Sequence, residues 1–254
     1  MKIAVCLKQV PARDWQPRVN EQKTWVRDQD ATFELNEPDA YALEAGLRLR
    51  EQLGGEVVVC SAGPARVAQA LREALARGAD RAIHVEEDGL AAADALAIAG
   101  ALEAAMRDET FDLVLTGLQS DDQGSAQTGV MLAALLGIAS AAIIMEMDVQ
   151  PPVVRVKREL EGGWFQWVTL PLPALLTVQS GINQLRYATL KGIMAAKKKE
   201  IRKVTPPAGL VSRQRVAAIY PPEKTKQTRM IEGSAAEAAK ALVTALRDDA
   251  RVIS

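Results

Sequence analysis

The chain has 254 residues, 48% hydrophobic and 25% charged, an ordinary globular balance that fits one large domain or one domain with an appendage. Thirty-one basic residues against thirty-two acidic ones leave a net charge of −1, which argues against a general nucleic-acid binder. No run reaches the roughly 18 apolar residues of a membrane-spanning helix, so no membrane insertion is expected.

Ile3–Leu7 reads as a buried first strand, broken by Lys8 and Gln9 too soon to be a signal-peptide core. Asp39 to Leu53 reads as a helix, with Leu43/Leu47 and Leu49/Leu53 each one turn apart and Gly54-Gly55 to stop it. Glu56–Cys60 is a second strand, and Ser61-Ala62-Gly63-Pro64 turns into a helix that runs to Arg77 and is closed by Gly78. Ala82–Val85 is the third strand, an Ala-rich helix spans about Ala91–Met106, and Phe111–Thr116 is the fourth strand. A Gly- and Asp-bearing loop then leads to a helix over about Ala126–Leu136, ended by Gly137. Strands separated by helices of this length are βαβ units, so the class is α/β, a parallel sheet with helices on both faces.

From Val149 the pattern changes. Val153–Glu159 and Trp164–Leu170 flank Glu161-Gly162-Gly163 and read as an antiparallel hairpin, and Ala174–Val178 is a last apolar strand. Between Lys197 and Lys226 stand nine basic residues (Lys197, Lys198, Lys199, Arg202, Lys203, Arg213, Arg215, Lys224, Lys226), two acidic ones (Glu200, Glu223) and four prolines. Such a segment cannot build its own core and reads as an extended arm. Ser234-Ala-Ala-Glu237 has the form of a capping box, and Ala235, Ala239, Leu242 and Leu246 make a narrow apolar stripe that needs something to dock on. The expected organisation is a sheet domain over 1–196, then an arm and short helix over 197–254.

In an open parallel sheet, ligands gather beyond the carboxyl ends of the strands where the strand order reverses. The candidate loops are Cys6–Pro11, Leu35–Asp39, Cys60–Pro64 and Gly117–Gly129. The last carries three glycines, hydroxyls at Ser125 and Thr128 and amides at Gln119, Gln123 and Gln127, and it opens a helix whose N-terminal dipole favours a phosphate. It is neither a P-loop nor Gly-x-Gly-x-x-Gly. Two readings stand: a nucleotide loop, or a strand-to-helix turn in which Ser125 is only an N-cap. Cys6 and Cys60 are too few for a disulfide framework or a four-thiolate metal site and read as small buried residues. The single His84, inside a strand, reads as packed or surface; Trp164 and Trp167 suggest packing; Asp121-Asp122 has the chemistry to bind a metal or a ribose, with a solvated loop as the default. No catalytic constellation emerges, so no enzyme is expected.

Asn183-Gln-Leu-Arg-Tyr-Ala-Thr-Leu-Lys-Gly-Ile-Met-Ala-Ala-Lys-Lys-Lys199 closely resembles the signature of the electron transfer flavoprotein β subunit. Lys8-Gln-Val-Pro11, Ala42–Leu49, Ala74–Arg81, Leu113–Gly117, Gln127–Gly129 and Arg158–Gly163 resemble family blocks in family order, over about residues 1–203. The resemblance implies a Rossmann-like, adenine nucleotide α-hydrolase-like sheet domain, and a heterodimer whose α subunit holds the redox-active FAD and is wrapped by the arm. It implies AMP in this chain, or a second FAD in its place. The nucleotide residues would be Cys6, Asn36, Glu37, Pro38, Asp39, Ala62, Gly117, Leu118, Gln119, Ser120, Asp121, Asp122, Gln123, Gly124, Ser125, Ala126, Gln127 and Thr128. Leu190, with Tyr187, Ile193 and Met194, would recognise a flavin dehydrogenase donor, and electrons would pass on to a quinone-linked oxidoreductase. Asp122-Gln123-Gly124 stands where the family has three aspartates; Lys191-Gly192 replaces its Pro-Asn and Ala195 its lysine. The expected role is an electron carrier, located in the cytoplasm; the alternative is a stand-alone adenine-nucleotide sensor.

Overall fold

A computed structural model describes residues 1–222, 228 and 230–253. Its elements are β1 (Lys2–Cys6), β2 (Gln9–Pro11), β3 (Arg18–Val19), β4 (Val26–Arg27), β5 (Phe33–Leu35), α1 (Glu37–Leu53), β6 (Glu56–Gly63), α2 (Ala68–Arg77), β7 (Arg81–Glu86) and α3 (Ala95–Met106). They continue with β8 (Leu113–Gly117), α4 (Thr128–Leu136), β9 (Ala139–Gln150), β10 (Val153–Glu159), β11 (Phe165–Pro171), β12 (Ala174–Val178), α5 (Leu190–Ala196), β13 (Ile201–Val204) and α6 (Ala235–Thr244).

The uninterrupted apolar runs of β1, β6, β8 and β12 become interior strands covered on both faces, as burial demands of a parallel sheet. They lie in a nine-stranded sheet of order β11-β10-β9-β12-β8-β1-β6-β7-β13. Pairing is parallel except at β9–β10–β11, where the hairpin runs antiparallel. Side chains alternate between two cores: Ile3, Val5, Val57 and Leu115 pack on α1 and α2, while Ala4, Val58, Val114 and Leu175 pack on α3 and α4. From β1 the chain steps through β6 to β7, then crosses back to place β8 on the other side of β1. The strand order therefore reverses between β1 and β8.

Three parts of the fold differ from the sequence reading. Ala139–Gln150 forms a long strand, β9, although Ala-Ser-Ala-Ala favours helix as readily as strand. It pairs first with β12 and then with β10, and at the irregularity Ile143 takes φ 61°, a strained conformation for a β-branched residue. Ile201–Val204 is not extended arm: it adds β13 to the sheet beside β7. Residues 9–35, unassigned from sequence, hold the two small antiparallel pairs β2–β5 and β3–β4.

The chain divides into Met1–Ala218 and Ile219–Ser254. In the second unit α6 carries the expected capping box, with both the Ser234 and Glu237 bonds formed. Leu242 and Val243 on this helix are exposed. Glu223, Lys224 and Lys226 of the basic segment lie outside the described residues.

Candidate functional site

The loops that leave β1 and β8, on either side of the strand-order reversal, are tied together by the start of α1. Asn36 holds the N-cap position of α1, yet its side chain makes no capping bond. Its amide reaches across instead, donating to Gln119 O at 3.0 Å and accepting from Asp121 N at 2.9 Å. Asp39, one turn further on, is buried and accepts from Gly117 N at 2.8 Å and Lys8 N at 2.7 Å. Glu37 N completes the seam with a 3.4 Å bond to Asp121 Oδ2. Backbone N–H groups buried away from water must be paired, and here two short polar side chains pair three of them, from the two loops that leave β1 and β8.

Burial pushes the Asp39 carboxyl up to about 6, although the Lys8 and Gly117 N–H bonds favour its charged form. Gly117 has no room for a side chain: a Cβ would stand 2.5 Å from Asp39 Oδ1 and 2.6 Å from the Pro38 carbonyl carbon. Gly129, in the first turn of α4, is as confined, with Thr116 Oγ1 2.7 Å and Thr177 Cγ2 2.8 Å from where a Cβ would lie. These two glycines let α1 and α4 close over the ends of β8 and β12.

The Gly117–Gly129 loop turns at Gly124 (φ 60°) and Ala126 (φ 54°) into α4. The N-cap of α4 is Gln127, and no side chain caps it, so Ser125 does not play the capping part that the turn reading gave it. The first N–H groups of α4 thus lie at the mouth of the crevice without a side-chain cap, the arrangement that suits an anion. Sequence reasoning missed Lys8 as a site residue. Its ammonium lies 2.7 Å from Asp122 Oδ1, 3.2 Å from Ser120 Oγ and 3.2 Å from Gln123 Oε1. Its position directly after the first strand was the available signal. Asp121 and Asp122 lie in an exposed loop, as the solvated reading has it, and are also part of the loop's bonding, with Arg13 3.7 Å from Asp121 Oδ2.

Cys6 and Cys60 pair in register on β1 and β6, buried beneath these loops. Burial raises the Cys6 thiol well above its usual range and pushes Cys60 up to about 12, so neither is a ready nucleophile. Ala62 lies near the carboxyl end of β6, and the fully buried His84 sets Nε2 3.0 Å from Gly63 O. Among the described residues no cluster of three or more His, Cys, Asp or Glu could hold a metal.

The residues expected to recognise a donor gather elsewhere, on and just before α5. Tyr187 and Leu190 are 87% and 81% exposed, and Met194 and Ile193 are exposed with them. The hairpin carries a second exposed apolar patch, which overturns the expectation that its tryptophans pack. Trp164 is 75% exposed, and Phe165 and Trp167 are exposed along the edge strand β11. Arg155 lies 4.5 Å from the Trp167 ring centre and Lys157 4.6 Å from that of Phe165.

A family model described as the electron transfer flavoprotein domain matches residues 24–208. The electron transfer flavoprotein subunit beta of Methylophilus methylotrophus is 37% identical, with 98% of each chain aligned. The chain belongs to the electron transfer flavoprotein β-subunit family. The human electron transfer flavoprotein subunit beta is 33% identical over 99% of each chain, and that of Bacillus subtilis 33% over 90% of this chain and 91% of its own. Electron transfer within a flavoprotein is the role this chain shares with its family, and the nine-stranded sheet is its Rossmann-like domain. No helix among the described residues is long and apolar enough to cross a membrane.

Proposed function

We propose that this chain is the nucleotide-holding and docking half of a heterodimeric electron transfer flavoprotein. An α subunit holds the redox-active FAD, and the chain after Ala218 lies along it. The crevice between β1 and β8 takes an adenine nucleotide, AMP or the adenylate part of a second FAD. A flavin dehydrogenase in the cytoplasm docks through α5, and a quinone-linked oxidoreductase accepts the electrons.

The observation that carries this reading is the seam of Asn36, Asp39, Lys8 and Gly117–Asp121 at the strand-order reversal, below an uncapped α4 N-terminus. The α4 amides and Ser125 suit a phosphate, and Gly117 and Gly129 let α1 and α4 close over the strand ends beside it. When bound, FAD supplies the electron-accepting and electron-donating chemistry; this chain binds, orients and shields. No side chain here is needed to move a proton. The exposed aromatic edge at β11 is of the kind that a partner subunit covers.

The test is the nucleotide released on denaturing the heterodimer, identified by mass. One FAD and one AMP per heterodimer is the single-flavin carrier; two FAD and no AMP places a second flavin in this crevice. Replacing Gly124 and Ser125 together by Leu should reduce the nucleotide other than the α subunit's FAD. Unchanged stoichiometry would refute the crevice assignment. A chain that is monodisperse, folded and nucleotide-loaded without any α subunit would favour the sensor instead.

A further inference from the structure

The helix α5 has seven residues and only one buried side chain, Ala196. A helix this short is not stable alone, and its exposed Leu190, Ile193 and Met194 give it little apolar area to bury. Polar contacts to the neighbouring helix α2 hold it instead. From α2, the Arg72 Nη1 donates to Ala196 O and Lys199 O, both at 2.6 Å, at the C-terminal end of α5. In return the Lys199 ammonium donates to Ala79 O at 2.5 Å and Leu75 O at 3.2 Å, at the C-terminal end of α2. At the end of each helix one carbonyl of the last turn, Ala196 O or Leu75 O, and one just beyond it, Lys199 O or Ala79 O, accept from a cation across the contact, where the helix dipoles also favour positive charge. Between the two clamps the backbones touch: a Cβ on Gly192 would overlap the Ala76 carbonyl oxygen. Thr189 caps the start of α5, accepting from Gly192 N at 3.0 Å. The segment before it is fixed on α1, where Arg186 pairs with Glu44 at 2.9 Å and with Glu51.

Resting on the reading of α5 as the docking element, we infer that Arg72, Gly192 and Lys199 are positioning residues for electron transfer. They fix α5 on α2 in one orientation, so that Leu190 and Met194, with Tyr187 just before them, are presented ready-ordered to the donor, while Arg72, Gly192 and Lys199 themselves never touch it. Pre-ordering lowers the entropy that docking costs, and it acts on encounter rather than on the electron step. Gly192 is specific to this arrangement, since any larger residue must lift α5 from α2.

Hydrogen exchange on the intact heterodimer tests the clamp without any donor. In Arg72→Ala and in Gly192→Ala, amides 193–196 should exchange at least about tenfold faster, while those of β1, β6 and β8 keep their protection. Arg72→Lys, whose ammonium can reach both carbonyls, should restore most of the protection. Unchanged exchange in both variants would overturn the inference. The second readout is reduction of the heterodimer by the flavin dehydrogenase that serves as its donor, charged with its substrate. Arg72→Ala should raise KM for that donor about tenfold and leave kcat and bound FAD unchanged. If Leu190→Ala slows this donor but Arg72→Ala leaves KM as it was, the clamp does not govern docking. If Leu190→Ala has no effect, the docking reading itself falls, while the exchange data still judge the clamp.

Discussion

The two ends of the sheet are both closed by carboxylates, and they are closed in opposite ways. At the amino end, Glu109 collects three cations: Arg81 at 2.7 Å, Lys2 at 2.8 Å and Arg202 at 2.9 Å. These hold its carboxyl down to about 2, with the Arg81 bond the chief cause. At the carboxyl end, Asp39 is buried with only backbone N–H partners and Asn36 beside it, and burial pushes it up to about 6. One carboxylate is matched by charge and stabilises the edge. The other is held at a cost, in the place where three loops must meet to form a crevice. The site end thus holds a buried carboxyl whose desolvation the Lys8 and Gly117 N–H bonds and Asn36 only partly offset.

The strongest way to break that contrast is at the glycine the crevice cannot spare. Gly117→Val drives a side chain into Asp39 and Pro38. It should cost about 3 kcal/mol or more by overpacking and the loss of the Gly117 N–H bond, and it should empty the crevice of nucleotide. Thermal unfolding and nucleotide content measured together decide it: a variant that unfolds like the wild type and keeps its nucleotide would show that the loops have freedom this packing denies them.

The α/β class was legible because β-branched runs and Leu-spaced helices alternate, and the Gly117–Thr128 loop stood out by its glycines and amides. What was not legible depended on contacts across the chain. Nothing local marks Asn36 as a bridge to Gln119 rather than a cap, since the two roles need the same side chain. Ile201–Val204 read as arm because basic neighbours hide a strand that only the edge of β7 calls into being. The Arg72–Lys199 clamp joins residues 127 positions apart and leaves no periodic trace. Trp164 and Trp167 looked packed because aromatic residues in a strand usually are, whereas β11 is the sheet edge, where Val168 and Leu170 pack on the core and both tryptophans are exposed.

The pH dependence of stability sharpens the comparison, because the two carboxylates work with opposite sign. Glu109, with a folded value near 2 against 4.5, contributes stability present above pH 4.5 and lost as pH falls toward 2. Asp39, with a folded value near 6 against 3.8, contributes stability present below pH 3.8 and lost as pH rises toward 6. Glu109→Gln should therefore cost about 2 kcal/mol at pH 7 and little at pH 2, as expected for hydrogen bonds to a charged group. Asp39→Asn should change stability at pH 7 by only about 1 kcal/mol, because relief of the buried charge offsets an N–H left without its acceptor, and it should flatten the decline between pH 4 and 6. Denaturant titrations of both variants at a series of pH values give the slopes, and equal slopes at the two ends would erase the distinction.

The smallest expected effect belongs to His84, and it is also the most cleanly observed, since the chain has one histidine. Nε2 lies 3.0 Å from Gly63 O and Nδ1 3.4 Å from Glu86 Oε2, which is itself ion-paired with the Lys203 ammonium at 2.7 Å. Both ring nitrogens thus face acceptors, and a neutral ring can donate to one. Burial is the main influence and lowers its pKa from 6.5, while Gly63 O and Glu86 pull upward and Lys203 downward. The neutral ring should carry its proton on Nε2, the nearer contact. Nitrogen-resolved spectra of the histidine should show that tautomer at pH 7 and still show it at pH 6.5, with protonation only below. Its linkage then runs with Glu109: stability present above 6.5 is lost as pH falls. In Asp39→Asn, with the opposing slope removed, that loss should emerge as a decline from pH 6.5 downward that the wild type conceals. A ring charged at pH 7 would mean that Glu86 outweighs burial, and that the β7–β13 edge is held by charge like the amino end of the sheet.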